Sequence, residues 1–269
     1  MPKIKVNDIN IYYEIHGEGF PIVMIMGAGA PLNWWDEDLM EQLTKKYKTV
    51  VFDNRGIGQT DKPDIKYTIE MFVADTIGLM DALKIERAHV LGISLGGIIA
   101  QELALNHPER VEKLVLCATA PGVSFSVKLI LRLLGKLLLF IVKRKMKTAE
   151  STYEYFLPQL FTKEFINEHP DRIEEVKPNL LAYTPSFEDL KRHLDASLTV
   201  NTRKRLKNLE VPTLILQGKK DRMNSYKRAL ELAELIPYSR LALFEKTAHA
   251  LFTQEPQKVL MTLLQFLAE

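Results

Sequence analysis

The chain of 269 residues contains one cysteine, Cys117, so an internal disulfide and a cysteine-rich metal site are excluded. We expect Cys117 to be a small buried side chain at the end of a strand. Metal or organic cofactors are not expected, because five histidines show no metal-ligand spacing with one another: His16, His89, His107, His169 and His193. The scarcity of cysteine fits a reducing compartment, and the N-terminus lacks a signal-peptide core, so we expect a cytoplasmic protein.

The chain also lacks a strong excess of charge and a long uninterrupted apolar run. Its 36 basic and 34 acidic residues give a formal charge of +2, which is too balanced to indicate nucleic acid as a partner. The most apolar stretch, from Leu129 to Val142, is interrupted by Arg132 and Lys136. It is shorter than the roughly 20 apolar residues that a membrane-spanning helix needs.

The strands and helices predicted from the sequence alternate in its first half, which favours a mostly parallel sheet covered by helices on both faces. We predict eight strands in all. The alternation stops after the strand from Val111 to Cys117, and residues 121–209 are nearly all helical in pattern. We therefore predict an α/β core formed by residues 1–120 and 210–269, with a helical cap, residues 121–209, inserted after the sixth strand over the carboxyl ends of the strands.

The chain is organised around residues 90–100, an apolar run that reaches Ser94 between two glycines and continues as a helix. The pentapeptide Gly92-Ile93-Ser94-Leu95-Gly96 alone would recur by chance. Here it lies between a predicted buried strand, from Arg87 to Ile93, and a predicted helix, from Leu95 to Asn106, which is the setting of a nucleophile elbow. We therefore predict that Ser94 is a nucleophile held out into a pocket; a purely structural turn is the alternative.

A second loop of interest follows the predicted strand from Pro21 to Met26. The sequence Gly27-Ala28-Gly29-Ala30-Pro31 can neither continue a strand nor begin a helix. An oxyanion hole needs two backbone N–H groups, one from the residue after the nucleophile, Leu95, and one from this early loop. Ala28 is the first candidate for the loop donor and Gly29 the second, while a flexible turn without function is the alternative.

Two residues near the C-terminus fall in loops directly after predicted strands. Asp221 follows the strand from Val211 to Leu216, and His249 follows the strand from Arg240 to Phe244. An acid can orient a histidine, and a histidine can accept the proton of a serine hydroxyl. The chain order Ser94, Asp221, His249 is the order of an α/β-hydrolase triad.

Other polar and aromatic residues near these loops have structural interpretations. We expect the loop that begins Asp53-Asn54-Arg55 to hold itself together through hydrogen bonds and an ion pair rather than to bind substrate. A helix is predicted from Asn33 to Lys46, with Asn33 near its N-cap. Trp34 and Trp35 are expected to anchor that helix on the sheet, and a wall of the substrate pocket is the alternative.

The predicted cap contains a basic amphipathic segment from Ser126 to Lys147. Five of its basic residues fall on one helical stripe: Lys128, Arg132, Lys136, Lys143 and Lys147. Three interpretations stay open for the apolar face: packing on the core, a substrate-pocket wall that includes Leu137 and Leu138, or contact with a membrane surface.

Essentially the whole chain resembles the cap-bearing α/β-hydrolases of the small esterase, haloperoxidase and epoxide-hydrolase-like superfamily. The resemblance rests on Asp53-Asn54-Arg55-Gly56-Ile57-Gly58, Gly92-Ile93-Ser94-Leu95-Gly96-Gly97, Gly218-Lys219-Lys220-Asp221 and Ala248-His249. The chain departs from the family at Met26-Gly27, where a His-Gly pair is usual. Similar epoxide hydrolases and haloalkane dehalogenases use an aspartate nucleophile, so the serine argues against both activities.

We therefore expect a serine hydrolase that acts on a carboxylic ester with an apolar acyl or alcohol part, through an acyl-enzyme and without a cofactor. Thioester, amide or C–C bond hydrolysis and cofactor-free perhydrolysis are alternative chemistries on the same triad. A ligand receptor without turnover, or with slow turnover, is the alternative outside catalysis, because function resides in sites rather than folds.

Overall fold

The computed structural model describes residues 2–123, 135, 137 and 139–269. It contains one eight-stranded sheet in the order β1-β2-β4-β3-β5-β6-β7-β8. The strands are β1 Lys3–Val6, β2 Ile9–His16, β3 Phe20–Ile25, β4 Tyr47–Phe52, β5 Ala88–Ile93, β6 Val111–Cys117, β7 Thr213–Gly218 and β8 Ser239–Phe244. The first two strands pair antiparallel and the others parallel, which confirms the predicted mostly parallel sheet.

Ten helices are bounded within the described residues. They are α1 Glu37–Thr44, α2 Ile69–Ala82, α3 Leu95–Asn106, α4 Ala149–Leu160, α5 Lys163–Glu168, α6 Pro170–Ala182, α7 Phe187–Thr199, α8 Tyr226–Leu235, α9 Leu251–Gln254 and α10 Pro256–Ala268. Residues 139–145 are also helical. None of these helices is long and apolar enough to cross a membrane.

Side chains of the parallel strands alternate between two apolar layers, one on each face of the sheet. In β3, Val23 and Ile25 join the layer formed with α2, α3 and α8, while Ile22 and Met24 join the layer formed with α1, α9 and α10. Successive side chains on a strand point to opposite faces, so a strand covered on both sides must be apolar throughout. This is why the strands were recognisable as apolar runs.

The position of β3 in the sheet creates the edge at which the functional loops meet. It lies between β4 and β5, and Ile25 pairs with Gly92 of β5 in parallel register. The carboxyl ends of β3 and β5 are therefore adjacent, and the chain order reverses there. In open α/β sheets a crevice for ligands forms at this kind of switch point.

Helices α4 to α7 all lie in the chain between β6 and β7, where the sequence predicts a helical cap. The fold class is therefore that of the predicted α/β core with inserted helices. The cap boundaries at residues 121 and 209 stay a prediction, and most of the apolar segment from Leu129 to Val142 lies outside the described residues.

The predicted helix start at Asn33 is wrong. Residues Leu32–Trp34 form a single 3-10 turn, and Trp35 then returns to an extended conformation. The α-helix begins at Glu37, because the Asp36 carboxylate accepts a hydrogen bond from Leu39 N–H and caps the first turn. Trp34 therefore lies in the 3-10 turn and Trp35 in extended backbone, both before the α-helix begins.

The first test concerns the close approach of β5 and α3. A Cβ added at Gly92 would lie 2.2 Å from the carbonyl oxygen of Gly96, and neither backbone can retreat without moving the helix. We expect Gly92→Ala to lower the free energy of unfolding by about 3 kcal/mol. Gly135→Ala is the matched control, because a Cβ there meets no heavy atom within 4 Å and the residue is helical. Urea unfolding measures both; equal effects would contradict the prediction.

Candidate active site

Ser94 occupies a sharp turn between β5 and α3, as the sequence predicts. Its φ is 55° and its ψ −116°, a conformation that costs a non-glycine residue about 1–3 kcal/mol. Hydrogen bonds hold the strained backbone in place: Ser94 N–H donates to the Cys117 carbonyl at 2.9 Å, and Thr119 Oγ1 donates to the Ser94 carbonyl at 2.7 Å. Strain of this kind persists only where the surrounding structure holds the backbone in place, so the strained turn is a fixed part of the fold.

The structure places Asp221 and His249 side by side, beyond the ends of β7 and β8. His249 Nδ1 lies 2.8 Å from Asp221 Oδ2, and both side chains are buried. Because a carboxylate only accepts, Nδ1 carries the proton and Nε2 of the neutral imidazole is left as the acceptor. A base in this tautomer is what a serine nucleophile needs.

The carboxylate of Asp221 is fixed by three other donors besides His249. Its Oδ1 accepts from the N–H groups of Met223 and Asn224 at 2.8 and 2.9 Å, and its Oδ2 accepts from Gln217 Nε2 at 3.1 Å. The acid therefore cannot rotate away from the histidine without losing hydrogen bonds at both oxygens. The sequence predicted its position in the loop but not these partners.

Ser94 and His249 line the same cavity of about 310 Å³, between the sheet edge and helices α4, α6 and α7. Asp221 lies behind His249 and does not line it. Apolar side chains form most of the wall: Met26, Ile93, Leu160, Phe161, Val176, Leu180, Leu190, Leu194 and Phe252. Polar groups of the wall include Gln159, Arg172, Glu175, Asn179 and Thr253. Ser94 and His249 thus border a cavity whose wall is largely apolar, which suits a largely apolar ligand.

The early loop lies directly beside Ser94. A Cβ on Gly27 would lie 3.2 Å from Ser94 Cβ, and Ala28 lines the cavity. Gly29 N–H, in contrast, donates to His193 Nδ1 of α7 at 3.4 Å, so this N–H is already in use and Ala28 is the better loop donor. Leu95 is buried, and its N–H is the first of α3, where no acceptor exists within the helix.

The Asp53-Asn54-Arg55 segment fixes the two ends of the early loop. Asn54 Nδ2 donates to the Met26 carbonyl at 3.0 Å, and Asp53 Oδ1 accepts from Leu32 N–H at 2.7 Å. Burial raises the pKa of Asp53, while the N–H donors of Gln59 and Leu32 oppose that rise. The segment therefore positions the loop that the oxyanion hole would use.

Arg55 forms an ion pair as predicted, but its partners lie outside the loop, so the pair joins the loop to the rest of the core and does not hold the loop to itself. Arg55 Nε and Nη2 donate to the two carboxylate oxygens of Asp75 in α2 at 2.6 and 2.8 Å, and both side chains are buried. A two-point contact of this kind fixes the guanidinium plane. Arg55 is therefore engaged in a buried structural contact and does not line the cavity, which agrees with the expected structural role.

The two tryptophans combine the two predicted roles, packing and pocket lining. Trp34 lines the cavity, and its Nε1 donates to the Asn179 carbonyl in α6 at 3.0 Å, which links the early loop to the cap. Trp35 is buried in the apolar layer with α1 and also borders the cavity. Packing and pocket lining therefore coexist at the same pair.

The assignment of Leu137 to the pocket wall is wrong. Its side chain is 58% exposed and does not line the cavity, whereas Val142 of the same apolar run does. Leu138 lies outside the described residues. Most of the described cap wall comes from α4 and α6 instead, whose apolar faces could not be connected to the site from the sequence.

Hydrogen bonds join the cap to the loop that carries His249 and to the short helix α9 that follows it. Ala250 N–H donates to the Leu160 carbonyl at 2.9 Å, and Gln254 Oε1 accepts from Thr162 N–H at 3.1 Å. The end of α4 is thus hydrogen-bonded to the residue that follows the histidine. Within the described part of the chain, no group of three or more His, Cys, Asp or Glu side chains is placed to hold a metal ion.

Comparisons of the sequence and of the fold with known proteins agree on one family. The family model described as alpha/beta hydrolase fold matches residues 21–256. The chain is 30% identical to a protein of Azorhizobium caulinodans named carbamate hydrolase RutD, over 100% of this chain and 99% of the relative. Two solved structures share the fold over at least 99% of both chains: an esterase from Exiguobacterium antarcticum (TM-score 0.86, 29% identity) and an enol-lactonase from Burkholderia xenovorans (TM-score 0.85, 25% identity).

The second test concerns Asp221 and the tautomer of His249. Asp221→Asn keeps the oxygen that accepts from Met223 and Asn224, but it presents an amide to Nδ1 and favours the other tautomer. We expect kcat for a p-nitrophenyl ester to fall by about 10³–10⁴-fold. The amide nitrogen also loses the bond from Gln217 Nε2, so the Tm should fall, and kcat is compared at a temperature at which both proteins are folded. Turnover near the wild-type rate would show that another acid orients the histidine.

Proposed function

Because the chain belongs to the α/β-hydrolase fold family, we propose that it is a serine hydrolase that cleaves a carboxylic ester with an apolar acyl or alcohol group. One arrangement carries the proposal: Ser94 and His249, which is oriented by Asp221, border the same largely apolar cavity. Nucleophile, base and orienting acid are the parts that acyl transfer requires.

In the proposed acylation, His249 Nε2 accepts the proton of Ser94 Oγ as the oxygen attacks the ester carbonyl. The carbonyl oxygen becomes an oxyanion, which the N–H groups of Ala28 and Leu95 stabilise. The tetrahedral intermediate then collapses, and the alcohol leaves with the proton that His249 carried. The product of this half-reaction is an ester between the acyl group and Ser94.

Deacylation repeats the chemistry with water in place of serine. His249 removes a proton from a water molecule, which attacks the acyl carbonyl. A second oxyanion forms on the same two N–H donors, and its collapse releases the carboxylic acid and returns the proton to Ser94 Oγ. No step requires a group that the chain does not supply.

The cavity supports an apolar substrate of moderate size. A volume of about 310 Å³ lies at the small end of the range for ligand pockets, and Met26 and Ile93 are among the apolar side chains that line it. The buried charge at Asp221 is shielded behind His249. Binding of an uncharged alkyl chain would remove apolar surface from water, and no charged group of the substrate would lose its hydration.

A carbamate is the second candidate substrate, because the Azorhizobium relative named a carbamate hydrolase matches along the whole chain. The same triad can attack a carbamate carbonyl, but a small carbamate without alkyl groups would occupy little of the apolar cavity. Comparison of p-nitrophenyl butyrate with p-nitrophenyl N-propylcarbamate separates the two. Multiple turnovers on the ester with single modification by the carbamate favour an esterase, and multiple turnovers on both favour the second candidate.

The third test identifies the nucleophile. A fluorophosphonate should label the protein once, and peptide mass spectrometry should place the adduct on Ser94. Ser94→Ala should abolish both labelling and ester hydrolysis while it still binds product acid. Unchanged hydrolysis in Ser94→Ala, or equal labelling elsewhere, would refute the assignment. If the wild type binds a ligand but neither hydrolyses esters nor reacts with the fluorophosphonate, the result indicates a receptor.

The fourth test examines acyl-chain preference. Each methylene held in the cavity is worth about 0.8 kcal/mol, so two to four extra carbons should raise kcat/KM by roughly tenfold to a few hundredfold. The measurement is a p-nitrophenyl series of acetate, butyrate, hexanoate and octanoate. A flat or falling series would contradict an apolar acyl site.

Paired leucine variants test where the acyl preference arises. Leu180→Ser places a hydroxyl on the cavity wall and should flatten the series, whereas Leu137→Ser changes an exposed side chain and should leave the series unchanged. A rising series that survives Leu180→Ser would assign the preference to the core side of the cavity, where Trp34 lies.

A further inference from the structure

His193 is a buried cap residue whose side chain reaches two backbone groups of the core. It lies in α7, its exposed fraction is 0%, and its ring packs against Phe72 and Tyr67. Its Nε2 is 2.8 Å from the Arg55 carbonyl, and its Nδ1 is 3.4 Å from Gly29 N. Neither contact belongs to the triad, and the residue does not line the cavity.

The two contacts determine the proton position on the ring. A carbonyl oxygen only accepts, so Nε2 carries the proton and donates to Arg55. The other nitrogen is then unprotonated and accepts from Gly29 N–H. Burial lowers the pKa of His193 to about 4, which keeps the imidazole neutral near neutral pH. The acceptor at Nδ1 is thus available under ordinary assay conditions.

The anchor of this histidine is itself rigid. Arg55 is fixed by its two-point contact with Asp75, so the carbonyl that holds Nε2 has a defined position. Helix α7 also packs against the loop through Leu190, because a Cβ on Gly29 would lie 2.9 Å from Leu190 Cδ1. Gly29 has a φ of +75°, which side chains rarely adopt, so the loop accepts the helix only with glycine there.

The Gly29 N–H belongs to the peptide unit that joins Ala28 to Gly29. The orientation of this peptide unit relative to Ala28 defines ψ of Ala28. The preceding peptide unit, between Gly27 and Ala28, carries the Ala28 N–H. Asn54 and Asp53 hold the loop only at its ends, at Met26 and Leu32. The hydrogen bond from Gly29 N–H to His193 therefore constrains the middle of the loop, together with the packing of Leu190 on Gly29 and the bond from Ala30 N–H to the Gly27 carbonyl at 3.4 Å.

We propose that His193 is a positioning residue for the oxyanion hole: it holds the Gly29 peptide from the cap and so keeps the Ala28 N–H directed at the developing oxyanion. This inference rests on the proposed serine-hydrolase function. Helix α7 then supports catalysis through its contact with the loop after β3, in addition to lining the cavity.

Three substitutions separate the two hydrogen bonds from packing. His193→Phe keeps an aromatic ring against Phe72 and Tyr67 but has neither hydrogen bond. His193→Asn can place its amide oxygen near the position of Nδ1 and accept from Gly29. His193→Gln can place its amide near Nε2 and donate to Arg55 while Gly29 loses its acceptor. His169→Phe, at an exposed cap histidine, is the matched control.

The Phe and Gln variants should lower kcat for p-nitrophenyl butyrate by roughly 10–100-fold with KM within about threefold, because a misdirected donor weakens binding of the transition state more than of the substrate. His193→Asn should retain kcat within about fivefold, and His169→Phe should match the wild type. A trifluoromethyl ketone, which forms an oxyanion on Ser94, should lose affinity in parallel with kcat. 1-Butanol, which has no carbonyl or carboxylate oxygen to accept from these N–H groups, should bind as before.

Several results would overturn the inference. They are unchanged kcat and ketone affinity in His193→Phe and His193→Gln, a loss confined to KM, or a loss in His193→Asn as large as that in His193→Phe. If His193→Phe does not fold, the contrast between Asn and Gln decides alone. A wild type that hydrolyses esters and is labelled at Ser94, with variants that behave normally, refutes only this inference. A wild type that does neither refutes the proposed function itself.

Discussion

The close packing of α3 against the carboxyl ends of β3 and β5 is the constraint on which the candidate site depends. A Cβ on Gly96 would lie 2.0 Å from the Ile25 carbonyl, and one on Gly92 would lie 2.2 Å from the Gly96 carbonyl. The helix therefore touches both strands at once. This double contact forces the strained turn at Ser94 and places it beside the loop that follows β3. Bulkier residues at these glycines would separate the nucleophile from its donor loop.

Features that depend on local chemistry were predictable from the sequence. Strands covered on both faces are apolar throughout, and glycines on both sides of Ser94 between a strand and a helix are typical of a tight elbow. The positions of Asp221 and His249 followed from the rule that parallel strands deliver their following loops to one edge of the sheet. The hydrogen bond between these two residues agrees with that placement.

Features that depend on tertiary contacts were not predictable. Asn33 and Asp36 are both good N-cap residues, and only the extended backbone at Trp35 selects the second. Leu137 belongs to an amphipathic pattern, but the pattern does not state which surface its apolar face meets. His193 gave no functional signal, because its neighbours Lys191, Arg192 and Asp195 are typical of a solvated helix and the histidine belongs to no motif. Its partners are separated from it by more than 130 positions in the chain.

The cap is joined to both loops that flank Ser94, through Gly29 on one side and Ala250 on the other. These two junctions limit how chimeras of the protein can be engineered. Replacing the inserted helices by those of a relative, in order to import a new substrate preference, would remove the His193 acceptor of Gly29 N–H and would displace the Leu160 carbonyl from Ala250 N–H wherever the new helix ends at another position. A productive exchange would need to carry α7 together with the loop after β3, and the end of α4 together with the loop after β8. The natural units of recombination in this chain are therefore these helix and loop pairs, rather than the continuous insertion.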